Sequence, residues 1–442
     1  MSTAENTDIP STKSGYTDAQ IERMWKKRNL RNWIALFLIG TFNNISYVVV
    51  NTSAQAICKA FDKENLVGLI VWFNAGFSFI IRLLHSFFML KIPFTIRLAI
   101  CLICYLLGLI GVALSVKIHI SVAFISIVVV GCTYSLGESI IMGYMRNFPA
   151  DSVGGFSSGT GFAGVAGAGL VFLLNALNVP IMIMFLSLTP LCVIYFLVYL
   201  FFLKPPKDLP PRPSTEAPVH EDVAEKQVVQ GDSKDAEGVN PLMNEGEDER
   251  TDETAPLIAR RETGCQRFNR VHKSIFWLSF QLMLVYFFEY VVQVGAAHCA
   301  FPKKVREEST NFWIKNAFTC INLCYQIGVV ISRSSLGCIK IKRVWIMTLL
   351  QGLNFVLWMF VAGFQFVKGY WIFALFAHTI FVGLMGGGMY VNTFYLIMQK
   401  KDATGDDKEL ASNMTMIYIT IGITLASLFS LLMTEVFFKK LI

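Results

Sequence analysis

Long apolar runs recur along the sequence, and they limit the possible folds of this chain more than any other feature. A transmembrane helix needs about 20 mainly apolar residues, and about eleven segments meet that length. They lie near residues 33–57, 66–90, 96–116, 119–145, 157–176, 180–203, 273–297, 311–332, 343–364, 370–398 and 409–437. Charged residues make up only 16% of the chain, whereas soluble domains contain about 25%. The sequence therefore predicts an all-α polytopic membrane protein with about 11 transmembrane helices.

One long interruption divides these runs into two groups. It begins with the proline-rich "PPKDLPPRPSTEAP" and ends with the acidic "NEGEDERTDETAPLIARR", a composition that cannot bury enough apolar surface to fold. We therefore predict a cytosolic N-terminal tail (1–32), a six-helix bundle (33–203), a disordered acidic cytosolic loop (204–272) and a second helix bundle (273–442). Six spans, a long loop and five further spans are typical of a two-bundle transporter.

Lys and Arg residues in the short loops predict the orientation of the chain. "KKRNLR" before the first span, "RSSLGCIKIKR" (333–343) and "QKKDATGDDK" (399–408) all fall on one side of the membrane. This pattern places the N-terminus in the cytosol, although "PKKVREE" (302–308) on the other side is an exception. With an odd number of spans, the C-terminus is expected in the lumen.

Polar side chains within the apolar runs are the candidate functional residues, because burying them in hydrocarbon is costly. The candidates are Asn44, Arg82, His85, Glu138, Glu289, Gln293, Gln326 and Asn392. They lie on the first, second, fourth, seventh, eighth and tenth spans, which mostly line the central cavity of two-bundle transporters. Hydrogen bonding between packed helices is the alternative interpretation. An ion pair between Arg82 and a glutamate would suit both interpretations.

The sequence lacks the motifs of an enzyme or of a metal protein. Its six histidines form no HExxH motif, and its CxxC pairs lie within apolar runs that lack the turn of a zinc site. We therefore predict no catalytic residues, no metal and no cofactor. The expected partners are a small-molecule substrate and the lipid bilayer, without nucleic acid.

The acidic loop also contains a candidate sorting signal. In "ETAPLI", Glu253 precedes Leu257 and Ile258, which is the form of an acidic dileucine signal read by clathrin adaptor complexes. This pattern predicts delivery to endosomes and lysosomes. The terminal "KKLI" has the form of a dilysine retrieval signal, but that signal acts only in the cytosol, so the number of spans decides which address is used.

Several motifs together resemble the battenin family, which includes the lysosomal membrane protein lost in juvenile neuronal ceroid lipofuscinosis. They are "NNISYVV", "LGE" (136–138), "SSGTG" (157–161), "YFFEY" (286–290), "YQIGVVISRSSL" (325–336) and "GGGMYVNTF" (386–394). The resemblance implies a major-facilitator-like fold of eleven spans in lysosomes and late endosomes. It also implies a role in clearing glycerophosphodiesters, especially glycerophosphoglycerol. The start "MSTAEN" and the end "KKLI" lack the lipidation motifs of vertebrate members, so lipid anchoring is not expected.

The resemblance and the polar residues together predict an exporter of small anionic metabolites. Arg82 and His85 would bind the phosphate, whereas Asn44, Gln293, Gln326 and Asn392 would bind glycerol hydroxyls. Glu138 and Glu289 would couple protons or gate the cavity. The alternatives are transport of basic amino acids with the two glutamates as cation ligands, regulation of lysosomal pH, and a trafficking scaffold that transports nothing.

Overall fold

The computed structural model describes residues 16–63, 66–212, 264–301, 308–365 and 371–437. Within these ranges the chain is almost entirely helical and contains no strand. Nine helices of the described residues are long and apolar enough to cross a membrane. The candidate sorting signal at Glu253, Leu257 and Ile258 lies outside the described residues.

The N-terminal half contains the first six predicted spans, and five of them are among these nine helices. Its helices are α1 (Asp18–Thr52), α2 (Val67–Gly76), α3 (Ser78–Phe88), α4 (Phe94–Ser115), α5 (Ile120–Tyr144), α6 (Val153–Ala176), α7 (Ile181–Leu186) and α8 (Thr189–Leu197). The α2–α3 pair forms the second span, and α7 with α8 and a π-helical turn (Val198–Phe202) forms the sixth.

The C-terminal half contains the other five predicted spans, and four of them are among the nine helices. Its helices are α9 (Gly264–Tyr290), which continues as a π-helical turn (Val291–Ala296), α10 (Ala317–Ser334), α11 (Trp345–Phe364), α12 (Trp371–Gln399) and α13 (Gly405–Leu432). The predicted spans at 66–90 and 311–332 correspond to the broken α2–α3 pair and to the short α10. Each of the eleven predicted spans therefore coincides with a helix or with consecutive helices.

Two helices begin earlier than the apolar runs predict. Helix α1 begins at Asp18 rather than near residue 33, and Thr17 caps it by accepting a hydrogen bond from the backbone N–H of Gln20. Helix α9 begins at Gly264 rather than near 273. Hydropathy detects only the part of a helix that lies in hydrocarbon, so helical turns that continue into water are missed.

The first residues of the predicted loop lie along the start of α1. The Trp25 indole donates to the carbonyl of Pro210 at 2.9 Å, and Arg28 binds both carboxylate oxygens of Asp208 at 2.8 and 2.7 Å. The Asn32 amide donates to the carbonyl of Lys204 at 2.8 Å. These contacts fix the chain where it leaves the sixth span.

Glycines allow the closest helix pairs in both halves. A Cβ atom at Gly159 of α6 would lie 2.0 Å from the Phe37 carbonyl oxygen of α1, so only glycine fits there. In the C-terminal half, a Cβ atom at Gly383 of α12 would lie 2.2 Å from the Tyr325 carbonyl oxygen of α10. Backbones that approach this closely pack well in a bilayer, and they hold each half together as a bundle.

Candidate functional site

A cavity of about 610 Å³ lies between the two halves. This volume is within the range of small-molecule sites, roughly 300 to 1,000 Å³. The lining includes Asn44, Tyr47, Arg82, Tyr134, Glu138 and Thr160 of the N-terminal half and Tyr286, Tyr290, Gln293, Tyr325, Gln326, Arg333, Tyr390 and Thr420 of the C-terminal half. The cavity therefore combines two cations, one carboxylate, several amides and six tyrosines.

The Arg82 side chain is paired within its own half of the protein. Its Nη2 lies 2.7 Å from Glu138 Oε2, and its Nη1 lies 3.4 Å from the hydroxyl of Ser139. The Tyr390 hydroxyl of the other half donates to Glu138 Oε1 at 2.8 Å. Both members of the ion pair are buried, with side-chain exposures of 3% and 6%. Arg82 and Glu138 together therefore present an almost neutral group to the cavity.

Arg333, at the end of α10, is held by neutral groups instead. Its Nη1 donates to Thr160 Oγ1 at 2.6 Å and its Nη2 donates to the Tyr286 hydroxyl at 3.1 Å. The guanidinium carbon lies 4.2 Å from the centre of the Tyr390 ring, close enough for a cation–π interaction. Across the described part of the chain, Arg333 forms no ion pair with a carboxylate. It is therefore the cavity cation without a direct counter-ion.

Tyrosine rings form much of the cavity wall. Tyr47 and Tyr134 stack with ring centres 4.4 Å apart, and Tyr286 and Tyr290 stack at 6.1 Å. A tyrosine offers an apolar ring and a hydroxyl that donates or accepts a hydrogen bond. Such a wall suits a ligand with both carbon-bound hydrogens and hydroxyl groups.

The predicted site residues separate into two groups. Asn44, Arg82, Glu138, Gln293 and Gln326 line the cavity. The remaining predicted residues, His85, Glu289 and Asn392, do not.

His85 and Asn392 use their polar atoms for other contacts. His85 is fully buried, and its Nε2 lies 3.0 Å from Nη1 of Arg97. The Asn392 amide accepts from the Ile341 backbone N–H at 2.7 Å and donates to the Gly388 carbonyl at 2.8 Å. In this structure His85 orients an arginine, and Asn392 holds the chain between α10 and α11. The substrate contacts predicted for these two residues stay predictions.

Glu289 lies beside the cavity and not in its lining. Its side chain packs against α12, where a Cβ atom at Gly386 would lie only 1.6 Å from Glu289 Oε2. That oxygen is buried and has no hydrogen-bond partner in the described residues. Glu289 therefore does not contact the cavity in this structure, although it lies on α9 together with the lining residues Tyr286 and Tyr290.

Sequence reasoning did not select Arg333 or the tyrosines as site residues. Arg333 stands at the predicted end of its span, where a cation is ordinary. Tyrosines merge into apolar runs and carry no charge that would mark them. The available signal was their position, because Tyr286, Tyr290, Tyr325 and Tyr390 lie on the same spans as the polar candidates.

The halves are joined by ion pairs at the end of the protein where α1 begins, which we call the proximal end. Arg97 of α4 contacts Glu409 of α13 at 2.7 Å, and Arg146 contacts the same carboxylate at 2.9 Å. Lys340 contacts Asp151 at 2.6 Å. The cavity lining instead reaches the opposite, distal end of the helices, at residues such as Trp72 and Leu431. The two halves are therefore held together on the proximal side of the cavity.

Comparison with known proteins decides the family. The family model described as "CLN3 protein" matches residues 34–440. The battenin of Dictyostelium discoideum is 36% identical over 408 residues, which cover 92% of this chain and 95% of the relative. The chain belongs to the battenin family. More distant battenin relatives include that of Canis lupus familiaris, 26% identical over 92% of this chain and 90% of the relative, and protein BTN1 of Saccharomyces cerevisiae, 26% identical over 89% and 92%.

Solved structures agree on the fold. The E. coli fucose:proton symporter FucP aligns with a TM-score of 0.55 and 11% identity over 93% of this chain and 97% of FucP. The human organic anion transporter MFSD10 aligns with a TM-score of 0.56 and 10% identity over 93% and 96%. This battenin relative therefore has the major facilitator fold expected from the sequence. Family and fold together support a membrane transporter.

Proposed function

We propose that the protein exports small anionic metabolites from lysosomes and late endosomes. Glycerophosphodiesters such as glycerophosphoglycerol are the proposed substrates, and their removal maintains lysosomal homeostasis. The observation that carries the proposal is Arg333, a cavity cation held by two hydroxyls and an aromatic ring, without a paired carboxylate. A phosphodiester carries one negative charge, which a guanidinium binds through two parallel hydrogen bonds.

The rest of the cavity suits the glycerol parts of such a ligand. Asn44, Gln293 and Gln326 contribute amide groups, which donate and accept hydrogen bonds. The Nε2 atom of Gln293 is buried and has no partner in the described residues, so a ligand hydroxyl would satisfy it. The tyrosine rings cover the carbon-bound hydrogens of the ligand.

Arg82 is a second cation for the substrate only when Glu138 carries a proton. A proton on Glu138 would remove the negative charge 2.7 Å from Arg82, and the guanidinium would then attract an anion. The predicted topology places the distal end of the cavity towards the acidic lumen. Glu138 is therefore the proposed proton-coupling or gating residue, because its charge decides whether Arg82 is available to the substrate. Glu289, which lies beside the cavity, is the second candidate carrier of a proton.

The test is export of glycerophosphoglycerol from proteoliposomes. We expect Arg333→Gln to reduce the initial rate by roughly 100-fold, because a desolvated charge pair with the substrate is lost. Arg333→Lys should restore part of the rate, since it keeps the charge without the planar fork. Lys340→Gln is the matched control, because it removes a cation at the same end of α10 that lies outside the cavity. Wild-type export by Arg333→Gln would contradict the proposal.

The proposed location depends on the loop outside the described residues. Glu253, Leu257 and Ile258 would bind clathrin adaptor complexes, which requires the loop and the N-terminus to be cytosolic. Replacing Leu257 and Ile258 by alanine should move the protein towards the cell surface. The matched control replaces Leu242 and Met243 of the same loop by alanine. Unchanged lysosomal staining of the first variant would exclude this signal as the main address.

A further inference from the structure

The proximal end of the N-terminal half contains two arginines that share one aromatic ring. The guanidinium carbons of Arg97 and Arg146 lie 4.2 and 5.2 Å from the centre of the Phe94 ring. The Arg97 side chain is only 1% exposed, whereas that of Arg146 is 22% exposed. His85 Nε2 accepts a hydrogen bond from Arg97, since a guanidinium can only donate, and so fixes its direction.

Both arginines find their negative partners on the other half of the protein. One carboxylate bridges them, with Glu409 Oε1 2.7 Å from Arg97 and Oε2 2.9 Å from Arg146. Asp406, one turn earlier in α13, also contacts Arg146. Across the described ranges, neither arginine forms an ion pair with a carboxylate of its own half.

The Glu409 side chain occupies a slot on the surface of α5. A Cβ atom at Gly143 would lie 2.7 Å from Glu409 Cγ, so a glycine is needed for the carboxylate to reach the two arginines. Burying such charges is expensive, and well-packed apolar residues often stabilise a protein at least as well. The buried ionic contact joins the two halves, so a separation of the halves would break it and expose the two arginines.

We propose that Arg97 and Arg146 form a second anion site, which the Glu409 carboxylate covers while the proximal end is closed. When α13 moves away, Glu409 and Asp406 leave with it, and two guanidiniums remain on the N-terminal half. An anionic oxygen ligand of the phosphate or carboxylate class then takes the place of the Glu409 carboxylate, with one oxygen on each guanidinium. This inference rests on the proposed transport of an anion. The anion would bind at this second site after it leaves the cavity.

The experiment measures inorganic phosphate binding to full-length protein in nanodiscs. All proteins carry Arg333→Gln, so that the proposed cavity site is silent. Adding Glu409→Gln uncovers the proposed site, and we expect phosphate to bind about tenfold more tightly than before. Adding Arg97→Gln to that protein should abolish the gain. Asp151→Asn is the matched control, because it breaks the ion pair with Lys340 between the halves without contacting Arg97 or Arg146.

The outcomes separate this inference from the proposed function. No gain with Glu409→Gln, a gain that persists after Arg97→Gln, or an equal gain with Asp151→Asn would each overturn the second site. Export by the single Arg333→Gln variant reports on the cavity and is judged independently. If Glu409→Gln does not fold, Gly143→Ala displaces the carboxylate without removing it and should produce a smaller gain with the same dependence on Arg97.

Discussion

Two buried Arg–Glu pairs of this protein have the same geometry and different positions. Arg82–Glu138 and Arg97–Glu409 both measure 2.7 Å, and all four side chains are at most 6% exposed. The first pair joins α3 to α5 within the N-terminal half and lines the cavity. The second joins α4 of the N-terminal half to α13 of the C-terminal half. A separation of the halves would leave the first pair intact, whereas it would break the second.

The partners around each pair fit this difference. Glu138 receives one neutral hydrogen bond from the other half, from Tyr390, and such a contact breaks at little cost. Glu409 is shared between Arg97 and Arg146, so it holds the halves together by two ionic contacts. The comparison indicates that burial and distance alone do not define the role of an ion pair. The role depends on which parts of the protein the pair connects.

The largest expected effect is on stability, from leaving one buried charge without its partner. Arg82→Gln leaves Glu138 without a cation and should destabilise the protein by about 3–5 kcal/mol. Arg97→Gln should cost less, because Arg146 still contacts Glu409. Thermal unfolding of the purified protein measures both. Combining Arg82→Gln with Glu138→Gln should restore most of the loss, since no orphan charge remains. Equal losses of stability from the two single variants would show that Arg146 does not compensate the charge of Glu409.

A second effect concerns Glu289, a buried carboxyl outside both pairs. Glu289→Gln keeps the size of the side chain and removes its ability to carry a proton. We expect normal folding and location, and export that no longer depends on the pH difference across the membrane. The measurement is export from proteoliposomes at several lumenal pH values. Unchanged pH dependence would make Glu289 a packing residue and leave Glu138 as the proton carrier.

The smallest effect is expected for the exposed pair between the halves, Lys340–Asp151. Its side chains are 39% and 61% exposed, and surface pairs contribute about 0–1 kcal/mol. The hydrogen bond to Asp151 raises the pKa of Lys340 above its usual value, so this contribution is present at lower pH and is lost only as pH rises through the folded-state pKa. Thermal unfolding of Asp151→Asn should therefore differ little from wild type at both lysosomal and cytosolic pH. A large loss at either pH would contradict this ranking.

The architecture could be predicted from the sequence because hydrocarbon imposes a simple rule. Long apolar runs must become helices, and the loop between the sixth and seventh spans marks the two halves. Five cavity residues could be selected for the same reason, since polar groups such as Asn44 and Gln326 are costly in lipid. His85 satisfies the same rule but contacts Arg97 instead of the cavity. The rule states that burial is costly and does not state which neighbour a polar group faces.

The ionic contacts of the proximal end could not be predicted in this way. Arg97 and Glu409 stand at the predicted ends of their spans, where charged residues ordinarily face water. Their burial depends on how α4 and α13 approach each other, which involves residues separated by 312 positions. Arg333 was missed for the same reason. Hydropathy locates a residue along the membrane normal, and the packing of helices decides whether it faces lipid, water or another charge.

The difference between the two buried pairs is tested most directly by a distance across the proximal end. Spin labels on unnatural amino acids at Lys91 and Lys401, both exposed, report the separation of the halves by electron paramagnetic resonance. We expect one short distance in the wild type and in Glu138→Gln, whose amide still accepts the hydrogen bond from Tyr390. Glu409→Gln should add a longer-distance population without any substrate. Identical distance distributions for Glu409→Gln and Glu138→Gln would contradict the account.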